Sequence, residues 1–78
     1  MEMTFTGVFI QVPESDGGGF TAYAEELPAA ITQGDTLDET RENLRDAIAL
    51  VLEHNRAVHE EDLKGSVVIR EKVSVNAA

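Results

Sequence analysis

His54 and His59, with Glu60, Glu61 and Asp62 beside them, are the side chains best suited by type to hold a metal ion. Their spacing opposes it. Helical zinc pairs place two imidazoles at i and i+4, one turn apart on one face, and a separation of five does not. A histidine near the C-terminal end of a helix also has a simpler role, because its charged form complements the dipole there. Nucleophilic catalysis has as little support. There is no cysteine, and Ser15, Ser66 and Ser74 fall in turns or strands with no histidine at a telling distance. The Gly17-Gly18-Gly19 run is no phosphate cradle, since it joins two strands and lacks the helix and lysine that such loops need. The expectation is a protein with no catalytic, metal or cofactor-binding residues.

The charged residues point to binding. Fifteen acids against six bases give a formal net charge of −9. A nucleic-acid ligand needs a Lys/Arg face, and Arg41, Arg45, Arg56, Lys64, Arg70 and Lys72 are scattered. An acidic surface suits a basic protein partner and speeds its encounter, though the same charge also serves solubility alone. No basic residue precedes an apolar run at the N-terminus, and no apolar stretch approaches the ~18 residues of a membrane span. A cytoplasmic chain is expected, and the absence of cysteine agrees with a reducing compartment.

These side chains are positioned by a short series of elements in one domain, 1–78. Residues 4–12 read as a strand, with Val8, Ile10 and Val12 on one face and Phe9 and Gln11 on the other. Pro13 ends it, and 15–19 form a turn in which the glycines permit positive φ. Residues 20–25 return as a second strand, with Phe20, Ala22 and Ala24 on one face and Thr21 and Tyr23 on the other. Leu27-Pro28 makes a corner and 29–33 a short third strand. Thr36 and Glu39 form a capping box that opens a helix. Its apolar stripe is Leu37, Leu44, Ala47, Ile48, Val51 and Leu52. Leu50 falls off that stripe, either as an isolated exposed side chain or as a contact with another subunit. The polar run 55–64 should fray, and 66–75 reads as a last strand carrying Val67, Ile69, Val73 and Val75 at alternate positions, with Glu71 the odd member of that face. The expected fold is α+β: a small antiparallel sheet of three to four strands with one helix packed on one face, in the order β-β-β-α-β. The other sheet face, or a free edge, would be left for self-association.

One ordered set of motifs is more specific than its parts. Asp16-Gly17-Gly18-Gly19-Phe20-Thr21-Ala22-Tyr23 is followed by Leu27-Pro28, then by Thr32-Gln33-Gly34-Asp35-Thr36-Leu37-Asp38-Glu39. This resembles the signature of HicB-family antitoxins: a D-G-G-aromatic-x-A-aromatic hairpin, a leucine-proline corner, and T-Q-G-D-T before an acidic helix. The resemblance spans the chain and is strongest over 16–52. It implies a partial double-stranded-RNA-binding-like fold and a small basic RNA-cleaving toxin, HicA, as the partner whose active surface is covered. Ala29 and Ala30 stand where family members commonly carry glycine and cysteine. Members usually continue into a DNA-binding domain, for which there is no room after Val75, so DNA repression and direct nucleic-acid contact are not expected of these residues.

Candidate partner contacts are Tyr23, Glu25, Glu26, Asp38 and Glu42. Tyr23 has two readings, an anchor offering apolar area with a polar tip, or a side chain packed beneath the helix. The acids could meet a basic toxin or simply be solvated. Gln33, Gly34 and Asp35 match the family signature but are explained by turn and capping duties. The functional expectation is an antitoxin-like protein-binding module with no enzyme activity. Its alternatives are a self-associating domain, as homodimer or higher oligomer without a toxin, and an RNA binder by fold analogy, which the charge opposes.

Overall fold

The computed structural model describes residues 2–76, apart from the side chain of Asp62; Met1 and the tail residues Ala77 and Ala78 lie outside the described residues. Three strands, β1 (Gly7–Gln11), β2 (Phe20–Ala24) and β3 (Leu27–Gly34), form an antiparallel meander in the order β1-β2-β3. The helix α1 (Leu37–Leu63) follows. The α+β class and the helix on one sheet face are as the sequence leads one to expect.

The first connection is a 3-10 turn at Glu14–Asp16 closed by three glycines in the left-handed region, Gly17, Gly18 and Gly19, at φ of 111°, 72° and 77°. Side chains other than glycine rarely adopt this conformation, so the run is needed here for geometry. The second connection is the two-residue turn Glu25-Glu26, after which Ala24 faces Leu27. The register then breaks, and regular pairing resumes at Tyr23 with Ile31. The irregular stretch holds Pro28, which cannot donate to a ladder. This makes β3 longer than the 29–33 read from the sequence, where alanines gave a weak strand signal.

Alternation sorts the side chains. Ala22, Ala24 and Ala30 are buried on the face that α1 covers, and Leu44 descends onto it from the helix. The fully buried Thr40 also belongs to this contact. Its hydroxyl donates to the Thr36 carbonyl at 2.7 Å, so burial leaves no polar atom unsatisfied. Opposite it, a Cβ on Gly34 would lie 2.6 Å from the Thr40 hydroxyl oxygen and 3.0 Å from its backbone nitrogen. Gly34 is therefore what lets helix and sheet meet this closely. Asn43 completes the seam, its amide donating to the Gln33 carbonyl at 2.9 Å.

The helix starts as its cap dictates. Thr36 accepts from the Glu39 N–H at 3.1 Å, and Glu39 reaches back to the Asp35 N–H at 3.3 Å, one residue earlier than the usual box. It does not fray at 55. Residues 53–63 include six strong helix formers, Glu53, Arg56, Ala57, Glu60, Glu61 and Leu63, and no glycine or proline; with an Arg56–Glu53 pair at 3.6 Å, the helix continues to Leu63. At 1.5 Å per residue it is about 40 Å long, more than twice a five-residue strand at about 17 Å. Every described residue from 53 onward is exposed. The last expected strand, 66–75, forms no ladder among the described residues, because β1 and β3 have no strand of that segment beside them. The radius of gyration is accordingly 16.7 Å, against about 11.5 Å for a compact chain of this length.

Candidate functional site

The sheet face away from α1 is uncovered. Tyr23 lies on it, between the buried Ala22 and Ala24 that point to the helix, which decides between its two readings: it does not pack beneath α1. Register places Val8 and Ile31 directly to either side of it. Ile31 is 68% exposed, and Val8 and Tyr23 are half-buried. A row of three apolar side chains, one per strand, thus crosses the face. The next row is Ile10, Thr21 and Gln33, with Ile10 half exposed. Contiguous apolar surface with a tyrosine at its centre and a polar margin is the anatomy of a protein contact.

The acidic candidates fall in two places. Glu25 and Glu26 form the β2–β3 turn, at the end of the sheet next to the Tyr23 row. Asp38 and Glu42 lie on α1, on the other side of the sheet, and each is paired with a helix arginine, Asp38 with Arg41 at 2.7 Å and Glu42 with Arg45. The geometry thus groups Tyr23, Glu25 and Glu26 but not Asp38 and Glu42. Glu26 is itself engaged: one carboxylate oxygen accepts from the Thr6 N–H and the other from the Thr6 hydroxyl, both at 2.7 Å. Those bonds, the backbone one foremost, hold its carboxyl below its ordinary pKa. Glu26 ties the start of β1 to the turn.

Sequence reasoning missed Ile31 as the most exposed member of the central row. Its signal was available, since a residue two before Gln33 in a short strand alternates with the buried Ala30 and with Thr32. Val8 and Ile10 were placed on one face, but not beside Tyr23. The side chains of His54 and His59 are both exposed, and the described residues contain no group of three ligating side chains that could hold a metal ion. Among the described residues no helix is long and apolar enough to cross a membrane.

Comparison with known proteins gives one informative match. The chain is 32% identical over 63 residues to the UPF0150 protein ssl0738 of Synechocystis sp., covering 74% of this chain and 88% of that relative. No protein-family model matches the chain, and no solved structure matches it.

Proposed function

This chain belongs to the UPF0150 family, and from that premise we propose that it is an antitoxin-like protein-binding module that neutralises a small basic RNA-cleaving toxin of the HicA type by covering its active surface. The observation that carries the reading is the uncovered apolar row Val8–Tyr23–Ile31 on a protein of net charge −9. The row supplies area that water leaves on contact, and the surrounding acids steer a cationic partner toward it. The HicB-like order of motifs over 16–52 supports the identity of the partner, and that stretch supplies Tyr23 and Ile31 of the row. Glu25 stands at the end of the row as the acid best placed for a basic side chain, while Asp38 and Glu42 would serve only a partner that wraps past the sheet edge. The protein works by occlusion, in the cytoplasm, and contributes no catalytic group.

The test is RNA cleavage by a basic HicA-type nuclease, measured with and without this chain. Neutralisation by the wild type and its loss in Ile31→Lys is the expected pattern. Leu50→Lys, on the exposed side of the helix, is the control that should neutralise normally. A nuclease left fully active by the folded wild-type chain at micromolar excess would overturn the reading.

A further inference from the structure

The segment 66–76 carries a strand pattern with nothing to pair to. Val67, Ile69, Val73 and Val75 are 97%, 79%, 82% and 84% exposed, and they alternate with Val68, Arg70, Lys72 and Ser74. The chain turns at Gly65, where φ is +78°, and Val68, Ile69 and Arg70 then share a shallow groove with His59 and Leu63 at the end of the helix.

A docking edge for such a segment exists elsewhere on the molecule. The Thr6 carbonyl accepts from the Glu25 N–H, and the Val12 N–H donates to the Gly19 carbonyl, both at 2.9 Å. Backbone groups of alternate residues point to opposite sides of a strand, so even-numbered residues of β1 face β2. Gly7, Phe9 and Gln11 therefore present their N–H and C=O groups outward along an edge with no proline and no bulge. The opposite edge, on β3, is blunted by Pro28, the register break and the Asn43 bond to the Gln33 carbonyl. Beside the β1 edge, on the helix side, a groove opens between Phe5, Phe9, Leu44 and Ile48, lined also by Arg41 and Arg45.

We propose that residues 66–76 of a second copy add to this edge as a fourth strand, and that two copies exchange these segments reciprocally. Val67, Ile69, Glu71, Val73 and Val75 then turn toward the groove, where Arg41 and Arg45 stand to meet Glu71, and Arg70 and Lys72 turn toward the outer face. Charge favours the exchange. The segment from 64 onward holds Lys64, Arg70 and Lys72 against Glu71 alone, whereas residues 1–63 hold fourteen acids and three arginines. The helix favours a second copy over the chain's own edge. Its overhang beyond Leu52 carries the start of the segment about 16 Å past the sheet, so Val67 and Ile69 have no sheet of their own chain beside them. Exchange gives both copies the same contact under twofold symmetry. The proposal draws its hydrogen bonds from the β1 edge and so does not rest on the toxin reading, although Arg70 and Lys72 then stand beside Val8 and Ile10 on the Tyr23 face.

The experiment is mass determination in solution by light scattering, with amide hydrogen exchange on the same samples. The wild type should run at about twice 8.5 kDa, with slow exchange at Phe9 and Gln11 and across 66–76. Val67→Asp with Val73→Asp, at two exposed positions outside the groove with the helix end, should give a monomer with unchanged helical circular dichroism and fast exchange at both places. Gln11→Pro, which blocks the edge itself, should do the same. A wild type that stays monomeric at millimolar concentration would overturn the proposal, whether or not its 66–76 amides are protected. So would a dimer that survives the paired aspartates.

Discussion

Gly34→Ala isolates the contact on which the helix–sheet seam depends. The new Cβ would sit 2.6 Å from the Thr40 hydroxyl oxygen, 3.0 Å from its nitrogen and 3.2 Å from its Cα. Ordinary contact begins near 3.4 Å, so helix or strand must move by close to an ångström, and two of the three atoms are backbone with no rotamer to escape into. Overpacking of this kind costs about 1–3 kcal/mol. Gly-to-Ala replacement within a strand otherwise gains about 0.5–1 kcal/mol by restricting the unfolded chain. The expected net loss is about 1–2 kcal/mol. For a domain of this size each kcal/mol moves the melting point by about 4–8 °C. Thermal unfolding at fixed protein concentration should therefore show a drop of about 5–15 °C. Thr40→Ala removes the nearest of the three atoms but leaves the backbone in place. In a double-mutant cycle the pair should couple by about 0.5–1.5 kcal/mol, with Gly34→Ala less harmful in the Thr40→Ala background. An unchanged or raised melting point for Gly34→Ala, or strictly additive effects, would refute the reasoning that this glycine is present for the close approach.

Three further outcomes follow from the same geometry. Leu44→Ala, at the centre of a small core, should cost about 2–4 kcal/mol and leave little folded protein at 37 °C, read by denaturant unfolding. Thr36→Ala should lose about 1 kcal/mol through the cap, with Thr36→Ser restoring most of it. Glu26 titrates lower in the folded chain than in the unfolded one, so its contribution is whole above the ordinary carboxylate range and is lost as pH falls through the lowered value. Glu26→Gln should remove that part of the acid dependence, and the mutant and wild-type stability curves should converge at the lowest pH.

The parts of this molecule that were legible in its sequence are those decided locally. The glycine run, the alternation of Phe20 to Ala24, and Thr36 with Glu39 each carry their structural meaning within a few residues. Thr40 was not legible as core. Threonine is ordinarily exposed, and its burial rests on the helix–sheet approach that the missing side chain at Gly34 permits and on its own bond to the Thr36 carbonyl. The polarity of 55–64 suggested fraying, but a helix that leaves the sheet can continue on propensity and an Arg56–Glu53 pair when its first four turns are anchored. The strand pattern of 66–75 was read from real alternation, yet a strand exists only where another backbone lies beside it. Of the candidate site, Tyr23 is singled out by its chemistry alone. Its neighbours Val8 and Ile31 are set by pairing register, which no single segment encodes.

The long overhang of α1 has a calorimetric consequence. Unfolding changes heat capacity by hydrating surface that the native state keeps dry, about 12–15 cal/mol/K for each residue. The described residues from 53 onward are already largely exposed, so in a single copy the first 52 contribute most. The expected change is about 0.6–0.8 kcal/mol/K, against about 0.9–1.2 for a compact chain of this length. The unfolding enthalpy shrinks in the same proportion. A lone copy should therefore melt over a broad range of temperature, with a shallow stability maximum. Whatever comes to lie on residues 53–76 will steepen that curve.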